Sequence, residues 1–185
     1  MDQMQIFGRF LMKKLLIVVD YQNDFVDGAL GFPGAADIFP AIRKKVIAYK
    51  NEGHTVVFTK DTHVPEYLDT QEGRNLPIIH CVKGTQGHEL YGDLEVLSEG
   101  SKVFEKNTFG SDLLFDYLRS ETFESVELVG LVSNICVLSN AVLAKTASPE
   151  TPIIVDALST AGNDPELHEK ALDVLKGIQV QVINR

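Results

Sequence analysis

A thiol, two kinds of carboxylate site and a lysine are the groups in this chain whose placement could do chemistry. Cys136 lies in Gly130-Leu131-Val132-Ser133-Asn134-Ile135-Cys136, where an apolar run ends and a helical pattern begins. Backbone N–H groups at a helix start favour an anion, so they would lower a thiol pKa and could hold an oxyanion. The alternative for Cys136 is a small buried hydrophobe. Asp20 directly follows five apolar residues, 15–19. It either caps the next turn or serves a site. Lys106 looks like a surface lysine on its own. Beside a carboxylate and a thiol it would hold both in their anionic forms.

A second group is Asp61-Thr62-His63, joined by His80 and by Glu72 between them. Asp and His two residues apart point the same way if the segment is extended. Two imidazoles and one or two carboxylates suit zinc, manganese or iron. A hydrogen-bonded histidine cluster is the alternative. Cys81, next to His80, reads as a structural thiol. Phe25, five residues beyond Asp20, reads as core or as a platform facing the site.

The elements that must position these groups follow from periodicity. Residues 15–19 (LLIVV) form a wholly apolar run, as a parallel strand buried on both faces does. Residues 54–59, 102–105, 125–131, 152–156 and 178–183 read as further strands. Residues 35–51, 111–120, 134–147 and 165–176 read as helices, with Ser111 as an N-cap. Residues 60–100 read as one long irregular stretch, of the kind that usually carries function. Strands alternating with helices predict a single-domain α/β fold, doubly wound, with a mainly parallel sheet and helices on both faces. In such sheets ligands sit beyond the carboxyl ends of the strands. Asp20, Asp61 and Cys136 all fall there. Residues 1–11 lack a period and read as an N-terminal extension to a domain spanning 12–185.

Composition narrows the function. Hydrophobic residues make up 44% and charged residues 23%, so a packed globular core is available. Net charge is −9, with 26 acidic against 17 basic residues and no basic cluster beyond Arg43-Lys44-Lys45. Phosphate binding needs a concentrated basic face, so nucleic acid is not the expected partner. No apolar run reaches the length of a membrane span. Gly-rich pieces at 28–34 and 84–87 match neither a dinucleotide nor a P-loop template, so no nucleotide cofactor is expected. Two cysteines and no secretory leader point to a reduced, cytoplasmic chain.

Residues 16–25 (LIVVDYQNDF), Asp61-Thr62-His63, residues 77–87 (PIIHCVKGTQG), Lys106 and residues 130–137 (GLVSNICV) resemble the isochorismatase-like cysteine hydrolases. Nicotinamidases and N-carbamoyl amide hydrolases belong to that family. The likeness runs from about Lys13 to near the C-terminus, in the family's motif order. It implies a Rossmann-like fold and a catalytic triad of Asp20, Lys106 and Cys136. It also implies a cis peptide between Leu131 and Val132, with the Val132 and Cys136 N–H groups forming an oxyanion hole. A divalent metal would sit on Asp61, His63 and His80, with Glu72 as a fourth ligand in some relatives. The chain has no tryptophan, and Thr62 and Pro77 replace aromatic residues common in nicotinamidases. Phe25 is then the ring expected against the substrate. The implied activity is thiol-dependent hydrolysis of a small-molecule amide through a thioester. The alternatives are a vinyl-ether or ester hydrolase that does not use the thiol, and a non-catalytic scaffold. True isochorismatases lack the cysteine. A homo-oligomer, dimer or tetramer, is expected by resemblance only.

Overall fold

The computed structural model describes residues 12–185, so the expected extension at residues 1–11 lies outside the described residues. Six parallel strands form one sheet: β1 (Leu15–Val19), β2 (Thr55–Asp61), β3 (Lys102–Lys106), β4 (Val126–Leu131), β5 (Ile153–Ala161) and β6 (Gln181–Ile183). Their spatial order is β3-β2-β1-β4-β5-β6. The chain builds outward from β1 to β3, then crosses to the other side for β4. The winding therefore reverses between β1 and β4, and the crevice of a doubly wound sheet opens at their carboxyl ends.

All five residues of β1 are fully buried, which explains its unbroken apolar sequence. Alternate side chains point to opposite faces. Leu15, Ile17 and Val19 join one core with Leu114, Leu118, Ala141, Ala144, Leu172 and Leu175. These come from helices α5 (Asp112–Ser120), α6 (Leu138–Ala147) and α7 (Pro165–Gly177). Leu16 and Val18 join the second core with Ile42, Val46 and Leu94. Those come from α2 (Phe39–Asn51) and the single turn α4 (Leu94–Leu97). Each buried aliphatic side chain contributes about 1.5–3 kcal/mol relative to exposure, so β1 anchors both layers.

Helix ends are set by local chemistry. Ser111 Oγ accepts from the Leu114 amide at 3.1 Å. Asp164 Oδ1 accepts from the Glu166 and Leu167 amides at 2.8 and 3.1 Å, and Pro165 opens α7. Gly130 is the one residue type that fits its place. It has φ +114°, and a Cβ there would collide with the Val19 carbonyl oxygen of the neighbouring strand.

Several boundaries differ from the sequence reading. Asp61 and Lys106 are the last residues of β2 and β3 rather than loop residues after them, and they are direct register partners. Residues 60–100 contain short helical turns, among them α3 (Gln71–Asn75) and α4. Phe25 lies on the short helix α1 (Asn23–Val26). β5 continues to Ala161 after an irregularity opposite Leu128–Gly130, where its register against β4 shifts. Residues 134–147 are not one regular helix. A wider turn, Ser133–Val137, precedes α6 because the Val132 carbonyl accepts from both Ile135 N (3.1 Å) and Val137 N (3.2 Å). That widened turn carries Cys136.

Candidate active site

Four strand ends converge. Asp20 follows β1, Asp61 ends β2, Lys106 ends β3, and Cys136 sits on the turn after β4. Asp20 adopts φ +45°, a left-handed conformation that Asp tolerates better than most residues. Its side chain is fully buried. Thr59 Oγ1 donates to Asp20 Oδ1 at 2.6 Å. Asp20 Oδ2 is ion-paired with Lys106 Nζ at 2.6 Å, without a well-aligned hydrogen bond of its own. Lys106 Nζ also donates to the Thr108 carbonyl at 2.8 Å and lies 3.8 Å from Cys136 Sγ. Its distance to Asp61 Oδ1 is 3.6 Å. One buried ammonium thus touches two carboxylates and the thiol.

The electrostatics of this cluster differ from the sequence expectation that helix N–H groups and Lys106 would hold the thiol anionic. Burial pushes the Cys136 thiol well above its ordinary value; the negative charge of Asp20 adds to this and Lys106 only opposes it. Burial also raises Asp20, against the Lys106 ammonium. Burial alone would lower Lys106, but Asp20, Cys136 and Asp61 outweigh it and hold the lysine above its ordinary value. The thiol therefore lies next to a carboxylate of raised basicity. A proton can pass between them without either group leaving the cluster.

The second cluster shares a wall with the first. Asp61 Oδ2 lies 3.0 Å from His63 Nε2 and 3.3 Å from His80 Nε2. Glu72 Oε1 lies 4.0 Å from His63 Nε2. One ligand atom from each of these four residues falls within 4.8 Å of all the others. The His80 Nδ1–H donates to the Ile78 carbonyl at 2.8 Å. That bond occupies Nδ1 and turns Nε2 toward the cluster, the orientation that metal-ligating imidazoles adopt. Burial works to raise Asp61, but hydrogen bonds to His63 and His80 and the charge of Lys106 outweigh it and hold the carboxyl well below the usual range. Glu72 is raised by burial and then by Asp61. Two imidazoles and two crowded carboxylates are a donor set that a divalent cation would relieve, so these residues fit such an ion.

A cavity of 180 Å³ opens onto both clusters. Cys136, Val132, Asp61, Glu72 and His80 line its inner wall. The remaining lining is mostly apolar: Phe25, Phe32, Phe109, Leu30, Leu76 and Ile135, with Asn163 at the side. Phe25 packs edge-on against His80, with ring centroids 5.6 Å apart. The Leu131–Val132 peptide bond is cis. The Val132 and Cys136 residues bracket the turn at the cavity floor.

The structure brings Asp20, Lys106, Cys136, Val132, Phe25, Asp61, His63, His80 and Glu72 to one crevice. Sequence reasoning missed several of their supports. Gln22 Nε2 donates to the Asp61 and His88 carbonyls at 2.9 Å each, and its Oε1 accepts from Asp61 N at 2.7 Å. Asp24 Oδ2 accepts from Cys81 N at 2.7 Å, which steers the peptide beside His80. Tyr67 packs on both His63 (4.5 Å) and His80 (5.0 Å). Gln22 and Asp24 lie inside the QNDF segment, so their neighbourhood to Asp20 was the available signal. Phe109 and Tyr67 carried none.

Residues 14–185 match the family model described as the isochorismatase domain. The chain belongs to the isochorismatase family. Among solved structures it is similar to a nicotinamidase from Bacillus subtilis, with 34% identity, TM-score 0.79, and coverage of 92% of this chain and 99% of that one. A pyrazinamidase from Pyrococcus horikoshii, solved in complex with zinc, superposes with TM-score 0.81 at 27% identity over 94% of this chain and 99% of that one. A nicotinamidase/pyrazinamidase from Mycobacterium tuberculosis is 29% identical over 92% of this chain and 98% of its own length. No helix among the described residues is long and apolar enough to cross a membrane.

Proposed function

We propose that this chain is a cysteine amidase that hydrolyses a small carboxamide, with Asp20, Lys106 and Cys136 as its catalytic triad. It is an enzyme, an amide-hydrolysing member of its family. The observation that carries the cysteine mechanism is the buried lysine that meets both Asp20 Oδ2 (2.6 Å) and Cys136 Sγ (3.8 Å), with Cys136 lining a largely apolar cavity.

Asp20 takes the thiol proton as general base, and Cys136 Sγ attacks the amide carbonyl carbon. The carbonyl π electrons move to oxygen, and the N–H groups of Val132 and Cys136 stabilise that oxyanion. Lys106 keeps the carboxylate in register and offsets the negative charge that moves between Asp20 and sulfur. The tetrahedral species collapses, the C–N bond breaks, and Asp20 returns its proton to the departing ammonia. Water then attacks the thioester with Asp20 again as base, and the thiol leaves with that proton. Asp61, His63, His80 and Glu72 would hold a divalent metal, which when bound supplies Lewis acidity toward a nitrogen or oxygen lone pair at the cavity wall. The pocket's three phenylalanines and small volume favour a flat, neutral carboxamide. Nicotinamide and pyrazinamide, named for the relatives, are the substrates to try first. A free thiol nucleophile supports a reducing, cytoplasmic setting.

The test is ammonia release from nicotinamide, pyrazinamide and a set of aliphatic amides, alongside elemental analysis of protein purified without chelator. The expected result is faster turnover of the aromatic amides and about one divalent ion per chain, reduced to background in the His63→Ala/His80→Ala double variant. Absence of ammonia release from every amide, with metal present, contradicts the amidase reading. Metal well below stoichiometry in active wild-type protein removes the metal from it.

A further inference from the structure

The turn that brings the Val132 and Cys136 amides to the cavity floor is tied down at three points. The Val132 carbonyl accepts from two amides of its own turn. The Cys136 carbonyl accepts from Asn140 Nδ2 at 2.8 Å, a fully buried side chain that also binds Phe109 O and Ser111 N. The third tie comes from outside the turn. Ser133 Oγ, fully buried, is hydrogen-bonded to His168 Nδ1 of α7 at 2.9 Å. Gly162 seals the pair: a Cβ there would come within 3.0 Å of Ser133 Oγ and 2.9 Å of Asn134 Oδ1. His168 touches neither the thiol cluster nor the metal-type cluster, and the mechanism above does not use it.

We propose that His168 is a positioning residue that sets the oxyanion-binding turn through Ser133; this rests on the cysteine-amidase reading. Ser133 is the residue directly after Val132. A shift of its backbone carries the Val132–Ser133 peptide, whose carbonyl takes both hydrogen bonds of the turn, and displaces the Val132 Cα to which the Val132 amide nitrogen is bonded. A hydroxyl locked to a ring on a separate helix removes that freedom. The gain is confined to the state that bears negative charge on oxygen, because the substrate carbonyl needs the amide alignment less than the tetrahedral oxyanion does. Alkylation of the thiol at an sp3 carbon, with iodide leaving, develops no tetrahedral oxyanion and so makes no demand on the turn.

That difference supplies the experiment. Steady-state ammonia release is measured for His168→Ala, His168→Asn, Ser133→Ala and the His168→Ala/Ser133→Ala pair, with the rate of Cys136 alkylation by iodoacetamide. His168 is half-buried and lies outside the core that α7 builds with Leu172 and Leu175, so its variants are expected to fold; circular dichroism checks this. In His168→Ala, kcat falls roughly 10- to 100-fold, the scale of a small misplacement of reacting groups. KM stays within about twofold and alkylation keeps the wild-type rate, because only transition-state stabilisation is lost. His168→Asn, whose side-chain amide takes the place of Nδ1, recovers most of the loss. The double variant is no slower than the worse single one, as expected when both remove one bond. Should Ser133→Ala fail to fold, the two His168 variants carry the test. A kcat within about twofold of wild type in His168→Ala overturns the positioning role, and so does alkylation that slows in step with kcat. Turnover that survives Cys136→Ala overturns the amidase mechanism, and this role with it. Cys136-dependent turnover indifferent to His168 overturns this role alone.

Discussion

Cys136→Ala is expected to lower amide turnover by at least about 10⁴-fold, the scale seen when a covalent nucleophile is removed. On the proposed mechanism the acyl group is carried by this thiol, the one cysteine among the described residues that line the cavity. The fold should survive, because Cys136 fills a small place in the core beneath α6 and alanine keeps the helix-start geometry. A loss near 1 kcal/mol would move the melting midpoint by only about 2–4 °C in a chain of this size. Cys81→Ala is the control. Its thiol is also buried and pushed far up, first by burial and then by Asp61 and Asp24, and its side chain takes no part in the cavity. Near-normal kcat is expected there. Paired measurements of ammonia release and thermal melting on the two variants check both halves. Persistent ammonia release in Cys136→Ala would contradict the thiol mechanism, and turnover of a vinyl ether or ester kept in Cys136→Ala but lost in Asp20→Ala would favour a hydrolase using Asp20 and Lys106 alone.

Lys106→Met should damage activity and stability together. The ammonium is the counter-charge for Asp20 at 2.6 Å and a neighbour of Asp61 at 3.6 Å, with all three groups buried. Methionine preserves the length of the stem and removes the charge, leaving a buried carboxylate cluster without its cation. Breaking one partner of a buried pair costs about 3–5 kcal/mol. Asp20 can lower that cost only by taking a proton, and a protonated Asp20 is no longer a base. The expected outcome is loss of activity comparable with Cys136→Ala plus a marked fall in the denaturation midpoint. The Asp20→Asn/Lys106→Met double variant should recover stability and no activity, because the unpaired carboxylate is then gone. Denaturant unfolding of the three proteins measures this. A single variant as stable as wild type would mean that solvent reaches the cluster far more than its burial indicates.

The strands were legible because a parallel sheet buries both faces of its central members. Residues 15–19 can be read as a strand from their unbroken apolar run, and Asp20 is conspicuous because a charge follows that run. Asp61, His63 and His80 were legible from residue type and order. Other parts of the site depend on long-range placement that local periodicity does not encode. Lys106 gains its role only because β2 and β3 align it with Asp61. The widened turn at 133–137 looks like ordinary helix in sequence, since its two hydrogen bonds converge on a carbonyl of Val132, whose own side chain gives no sign of it. Phe32 and Phe109 also reach the cavity, so the aromatic wall that seemed to rest on Phe25 alone joins the 25–32 segment to a residue far along the chain. The thiol's acidity was misread for the same reason. Helix N–H groups are visible in sequence, but the burial of Cys136 beside Asp20 is not, and that burial pushes the thiol up.

The central claim is that the acyl group passes through a covalent bond to Cys136. Rapid acid quenching of wild-type enzyme during its first turnovers, followed by mass analysis of the Cys136 peptide, addresses it directly. The account predicts a mass increment equal to the acyl group on that peptide, removed by neutral hydroxylamine and absent from the Cys81 peptide. Product formation with Cys136 unmodified at every quench time would contradict it.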